Sequence, residues 1–217
     1  MKSVFRSLLT SLLLATAPLL AQAQQDPKAG KVLNEMSAKY KALKAFRASF
    51  QQTLENPLNK IRETMSGDIT VAGQKFHLTT AGQEVINNGS TMWTYMKAEN
   101  EVNISEYDPD EEELSPTGIF TLYQKGYKYQ LLSPVTEAGV SYDVVELAPM
   151  DRSNSLVKVQ LQVSKKDRSV KSWKMFKKNG NRYSFVIKDF TPNPPVDPTT
   201  FAFDKAKYKG VKVIDLR

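Results

Sequence analysis

The sequence predicts one mainly β domain: a curved antiparallel sheet, apolar on its inner side, with an N-terminal helix and a shorter mid-chain helix lying over it. Three observations carry this expectation. From Phe46 onward the apolar period is two over most of the chain, whereas Val32 to Leu43 repeat at helical spacing. The links between successive alternating runs are short, about two to five residues, too short for the crossovers that parallel pairs require. Turn dipeptides such as Asn88-Gly89, Lys166-Asp167 and Asn179-Gly180 fall between the runs.

The fold is expected to begin after residue 23. Lys2 and Arg6 give a positive start, Leu8 to Leu20 an apolar stretch, and Ala21-Gln22-Ala23 a small-residue cleavage site, the pattern of a secretory signal peptide. No later apolar run reaches the ~18 residues of a membrane span, so residues 24–217 are expected as one soluble exported domain. The sequence has no cysteine, which removes disulfides, thiol catalysis and Cys-based metal sites together. A chain of this length buries roughly 70% of its unfolded surface, enough to do without disulfides. Net charge is +7, or +5 once Lys2 and Arg6 are removed. The lysines alternate with apolar residues as on a solvated sheet face. With an export signal this argues against nucleic acid and fits attraction to anionic membrane surfaces.

Taken in order, Asp26-Pro27 opens a helix of roughly four turns, Asp as cap and Pro at the first helical position. Its apolar face is Val32, Leu33, Met36, Tyr40 and Leu43, with Lys31, Asn34, Glu35 and Lys39 outward. Phe46, Ala48 and Phe50 then alternate with polar residues. Arg62 to Val71 and Lys75 to Leu78 follow as strands, joined at Ala72-Gly73. Val85-Ile86, Met92 to Met96 and Val102 to Ile104 read as three more, the first two joined by a tight hairpin at Asn88-Gly89 with both central residues at positive φ. Tyr107 to Glu113 is acidic but lacks the central Gly and closing Glu of a calcium loop, so it reads as a solvated loop. Ser115-Pro116 starts a short helix carrying Ile119, Phe120, Leu122 and Tyr123; too short to be stable alone, it must dock on something apolar and can undock. Tyr127 to Leu132, Tyr142 to Leu147, Leu156 to Val163, Val170 to Phe176 and Arg182 to Phe190 are strands. After the Pro-rich Thr191 to Thr200, short closing strands are expected at Phe201 to Phe203 and Val211 to Ile214.

The sequence offers little for catalysis. His77 is the one histidine, on a strand with no partner in view, and no nucleophile elbow, zinc-protease motif, P-loop or dinucleotide turn occurs. No enzyme, metal or cofactor is expected. A curved sheet with an apolar, aromatic inner face under a detachable helix suits holding a greasy ligand.

The residues also carry a resemblance. Phe46-Arg47-Ala48-Ser49-Phe50-Gln51-Gln52, Gly67-Asp68-Ile69, Asn88-Gly89-x-x-Met92-Trp93-x-Tyr95 and the ending Phe201-x-Phe203 with Gly210-Val211-x-Val213 resemble, in order, segments of the periplasmic lipoprotein carrier family LolA. The resemblance implies a mainly β fold with an α lid: an incompletely closed antiparallel β-barrel or half-barrel whose cavity holds the acyl chains of lipoproteins in the periplasm of a Gram-negative bacterium. Cargo would come from an inner-membrane ABC transporter and go to an outer-membrane receptor or directly to that membrane, carried by a monomer without cofactor. The expected cavity residues are Phe50, Ile69, Phe76, Leu78, Trp93, Tyr95 and Ile104. The lid residues are Val32, Leu33, Met36 and Tyr40 of the first helix with Ile119, Phe120, Leu122 and Tyr123. One departure stands out: Gly73-Gln74-Lys75 precedes Phe76 where many members have the Arg-Pro that tethers their lid. A carrier or sensor of free lipid or glycolipid is the alternative, and an acyl-ester hydrolase a distant one; sensors of this fold carry a second domain for which residues 24–217 leave no room.

Overall fold

The computed structural model describes residues 25–108 and 115–217. The expected leader and residues 109–113 of the acidic run lie outside the described residues. Helix α1 spans Pro27–Lys41. Asp26 caps it as expected: one carboxylate oxygen accepts from the N–H of Lys28 at 2.9 Å and of Ala29 at 3.4 Å. The other oxygen accepts from the N–H of Leu131 at 2.8 Å, so the cap also fastens the helix to a strand 105 residues away.

Among the described residues twelve strands follow. The first six are β1 (Phe46–Asn56), β2 (Ile61–Ala72), β3 (Lys75–Thr80), β4 (Gln83–Asn87), β5 (Thr91–Met96) and β6 (Glu101–Glu106). After two 3-10 turns come β7 (Tyr127–Glu137), β8 (Val140–Pro149), β9 (Leu156–Ser164), β10 (Val170–Lys177), β11 (Arg182–Pro192) and β12 (Lys212–Asp215). They form one sheet in the order β12-β6-β5-β4-β3-β2-β1-β11-β10-β9-β8-β7, open because β7 and β12 are edges that do not pair with each other. Two meanders, β1 to β6 and β7 to β11, are joined where β1 pairs antiparallel with β11.

Four sequence expectations are corrected. The closing strand β12 runs parallel to β6, with Val213 opposite Val102, because the chain returns over the outer face before it pairs. Phe201 to Phe203 is not a strand: Asp197 and Pro198 cap and start a 3-10 turn, Pro198–Phe201, and that local signal overrides the short alternation. At Asn88-Gly89 only Gly89 takes positive φ, 100°. The Asn88 side chain accepts from the N–H groups of Ser90 and Thr91, making a longer turn than the tight hairpin expected. The short mid-chain helix is a pair of 3-10 turns, Gly118–Phe120 and Leu122–Gln124, with Ser115 Oγ accepting from the N–H of Gly118 at 2.9 Å.

Pairing register decides which residues share a face. Ala48 stands opposite Ile69, Ile69 opposite Leu78, Leu78 opposite Val85 and Val85 opposite Thr94, one row of the inner face. On the second meander the inner face carries Val145, Leu147, Val159, Leu161 and Val163, all fully buried, and α1 seals it with Leu33 and Met36. In β2, Gly67 lies under the ring of Phe50.

A side chain at position 67 would meet Phe50 Cζ at 2.7 Å and the Thr79 carbonyl oxygen at 2.8 Å, and the latter is backbone that cannot turn aside. Gly67→Ala is therefore expected to lower stability by about 1–3 kcal/mol, read from the denaturant midpoint.

Candidate functional site

On the inner face, where the two meanders meet, lies a cavity of about 140 Å³. Its floor is Phe46, Ala48 and Phe50 of β1, with Ile69 and Leu78 on one side and Trp173, Met175, Phe185, Ile187 and Phe190 on the other. On a flat sheet β3 and β10, four strands apart, would be separated by about 19 Å, so the sheet must curl for both to line so small a space. The lining is almost wholly apolar, and Trp173 stacks on Phe185 with ring centroids 4.8 Å apart. The roof comes from residues 115–120 and from Tyr40 at the end of α1.

Tyr40 and Phe120 close the space. Their rings stack at 3.7 Å and 10°, and both meet Phe46 edge-on near 6 Å. Behind this wall is a second, more polar space of about 520 Å³, which shares Tyr40, Phe46, Ser115 and Phe120 with the cavity. The Tyr40 hydroxyl accepts from the buried N–H of Val170 at 3.0 Å. Burial pushes its pKa up to about 12, so it stays neutral.

The two parts of the roof are held very differently. Helix α1 is fixed at both ends: Asp26 and Gln25 bond to β7, and its second half is gripped by the β9–β10 hairpin. There Arg168 reaches Glu35 at 2.7 Å and Asp143 at 2.8 Å, while Lys39 reaches the Asp167 carboxylate at 2.7 Å and its carbonyl at 2.8 Å. Burial opposes ionisation of Asp167, but hydrogen bonds from Lys39, Ser169 and Ser164 outweigh it and hold the carboxyl well below the usual range. The 3-10 turns pair with no strand. They are held by the buried Ile119, Leu122 and Tyr123, by the Phe120 ring against Tyr40 and Phe46, and by the Tyr123 hydroxyl donating to Asn34 at 2.8 Å.

The expected cavity residues divide. Phe50, Ile69 and Leu78 line the cavity. Phe76 is on the same face, 2% exposed, but beside the cavity, its ring edge-on to Tyr107 at 5.9 Å. Trp93, Tyr95 and Ile104 lie on the opposite face. Trp93 stands opposite Ile86 and Ile104, and Tyr95 opposite Val102, in rows that alternate with the Leu78 row. This outer face has its own apolar layer, where Ile86, Val102, Phe201 and Val211 are buried and Tyr208 packs on Tyr95 at 4.6 Å. His77 belongs there too: its Nε2 lies 2.6 Å from Glu84, whose other oxygen accepts from the Tyr208 hydroxyl at 2.8 Å. Of the expected lid residues, Val32, Leu33, Met36, Tyr40, Ile119, Leu122 and Tyr123 are buried and Phe120 half-buried. The lining from β10 and β11 was missed in sequence. Its signal was present in Trp173, Phe185 and Ile187, but those strands read as ordinary core. No group of three or more acidic or histidine side chains suited to a metal occurs among the described residues.

Residues 41–204 match the family model described as outer membrane lipoprotein carrier protein LolA. The chain belongs to the LolA family. No curated protein sequence matches it. Among solved structures, an uncharacterized conserved protein from Thermus thermophilus is similar over 87% of this chain and 99% of its own, at 10% identity and a TM-score of 0.59. MucB is similar over 82% of this chain and 64% of its own, at 14% identity and a TM-score of 0.50. A LolA superfamily protein from Nitrosomonas europaea covers 82% of this chain and 98% of its own, at 14% identity and a TM-score of 0.45. LolA-family members are periplasmic carrier and binding proteins. In this LolA-family chain Gly73 and Gln74, in the stretch before Phe76, line the second, more polar space.

Two outcomes follow from this roof. Phe120→Ala removes one ring of the wall and should raise uptake of an apolar fluorescent probe severalfold, while costing under about 3 kcal/mol because the ring is half-exposed. Asp26, whose carboxyl is lowered chiefly by the Leu131 N–H, and Asp167 both have depressed folded values, so the anchorage they give α1 is complete above the ordinary carboxylate range near ~3.9 and fails as pH falls through the folded values. The protection of the α1 amides, each exchange rate taken relative to its intrinsic rate at the same pH, should be flat from neutral pH down to about 5 and fall at lower pH ahead of that of β9; Asp26→Asn should lower it at neutral pH.

Proposed function

We propose that this protein is a periplasmic chaperone that binds the acyl chains of lipoproteins in the inner-face cavity and carries them from the inner to the outer membrane. Residues 1–23 are removed on export, and residues 24–217 act as one monomeric domain. Cargo arrives from the lipoprotein-releasing ABC transporter and leaves to an outer-membrane receptor or directly to the membrane. The observation that supports this reading best is an apolar cavity closed by an element that pairs with no strand. Membership of the LolA family supports the same role.

The dimensions indicate how loading works. A space of about 140 Å³ is close to the ~150 Å³ of a site that accepts one benzene ring, and below the ~300 Å³ of small-ligand pockets. A long acyl chain fits only when the Tyr40–Phe120 wall parts and the space behind it joins the cavity. Because α1 is fastened at both ends, the 3-10 turns are the part that moves. Each CH₂ withdrawn from water contributes ~0.8 kcal/mol, so a chain of about 16 carbons contributes on the order of 12 kcal/mol. Several chains fully buried would pass the ~21 kcal/mol at which non-covalent affinity saturates, and cargo bound that tightly could not be delivered. A small cavity that opens under a weakly held roof keeps binding reversible.

Release of newly made lipoproteins from spheroplasts on adding the purified protein tests the role. A soluble one-to-one complex is expected; release of none, with free lipid bound instead, would replace this reading with a lipid or glycolipid carrier. Leu78→Gln, at the cavity, should cut capture roughly tenfold or more, while Tyr95→Phe, on the other face, should leave it unchanged.

A further inference from the structure

One end of the sheet differs from the rest of the surface. Pairing of Glu55 with Arg182, Asn56 with Ile61 and Lys177 with Leu156 brings the β1–β2, β10–β11 and β8–β9 turns to the same edge. They are laced into one rim. Asn56 donates to Asn181 at 2.7 Å, the Lys178 N–H donates to the Ser155 carbonyl at 3.0 Å, and the Lys178 ammonium donates to the Arg152 carbonyl. This rim is about 20 Å along β1 from Phe50 and takes no part in the cavity.

Two properties coincide there. Of the eight large apolar side chains exposed among the described residues, five belong to these hairpins: Leu58 at 83%, Met150 at 55%, Val157, Met65 and Ile61. Residues 55–65, 149–158 and 174–182 also hold eight lysines and arginines against three acids, an excess equal to the whole net charge of residues 24–217. Ion pairs of Glu55 with Arg62 and Lys174 and of Glu146 with Lys158 cancel part of it, and with Glu146 counted the eight cations still face only four acids.

We propose that this rim docks the protein on an anionic lipid surface, with Leu58 and Met150 entering the headgroup layer while the surrounding lysines and arginines meet lipid phosphates. The arrangement favours a lipid surface over a protein partner. A protein interface has a contiguous apolar centre depleted of charge. Here the exposed apolar side chains are divided between the β1–β2 hairpin, with Leu58, Ile61 and Met65, and the β8–β9 hairpin, with Met150 and Val157, on a rim rich in lysine and arginine rather than depleted of charge, and a fluid surface can admit the tips on each hairpin separately while pairing its phosphates with the cations. The docking does not depend on what the cavity carries.

Sedimentation of the purified protein with phosphatidylglycerol-rich vesicles, and with vesicles of phosphatidylcholine alone, tests it. Binding to the first and not the second, weakening as salt is raised, is expected. Leu58→Ser, at a site too exposed to affect folding, should weaken binding by roughly tenfold, and Lys177→Gln with Lys178→Gln by about fivefold per charge removed. Leu78→Gln should leave it unchanged. Equal binding to both vesicles, or binding abolished by Leu78→Gln and indifferent to the rim variants, would overturn the docking by assigning vesicle binding to the cavity. Retention on an acidic protein surface with neither vesicle bound would overturn it in favour of a protein partner.

Discussion

The pairing of β1 with β11 is the contact on which the rest of this molecule depends. Every other antiparallel pair joins neighbours in sequence and could form early from local links. β1 and β11 lie about 140 residues apart, and their ladder runs from Phe46 opposite Pro192 to Glu55 opposite Arg182. Until it forms there are two separate meanders and no cavity. Once formed, it sets Phe50 opposite Ile187 and Ala48 opposite Phe190, with a register shift between Ser49 and Phe50. Such irregularities bend a strand and increase its twist, and this one lies in the floor of the cavity.

The same ladder explains why the cavity is small and apolar. Phe46 stacks on Phe190 at 5.4 Å and Phe50 tilts against Phe185 at 6.3 Å, so aromatic rings from both meanders fill most of the space the curl encloses. Gly67 contributes by what it lacks: with no side chain in β2, the Phe50 ring settles directly on the strand. The roof completes the enclosure with two unlike pieces. Helix α1 is joined to the sheet by its cap, its buried face and the Arg168 and Asp167 contacts, whereas the turns carrying Phe120 are held by three buried side chains, the Phe120 ring against Tyr40 and Phe46, and a hydroxyl contact, with no ion pair among the described residues. In a closed structure with an apolar interior, the least-fastened element governs access.

Much of the fold was legible in the sequence because it is locally encoded. Asp26-Pro27 specifies a helix start from its own geometry, and α1 begins there. The alternation of Phe46, Ala48 and Phe50, or of Val157, Val159, Leu161 and Val163, specifies strands whatever they pair with. The candidate site was only partly legible. Phe50, Ile69 and Leu78 lie on strands with one clearly apolar face, so alternation pointed to the right side. In β5 it could not: Met92 and Met96 occupy one face and Trp93 and Tyr95 the other, and both look apolar enough to face a core. The larger aromatic pair suggested the cavity, but the register of β4 and β5 turns it outward.

That outward face is buried only because a distant segment covers it. Phe201, Tyr208 and Val211 arrive from the far end of the chain, and β12 then pairs parallel to β6, which short-link reasoning could not anticipate. The sequence by itself therefore determined the elements, their mostly antiparallel order within each half, and the presence of an apolar inner face, since each follows from neighbouring residues. Only the tertiary structure decided which aromatic residues share a cavity, which part of the roof is tied to the sheet by hydrogen bonds and ion pairs, and that scattered lysines gather at one rim with Leu58. All three depend on the register between strands remote in sequence, where one residue of slip exchanges the two faces of a sheet.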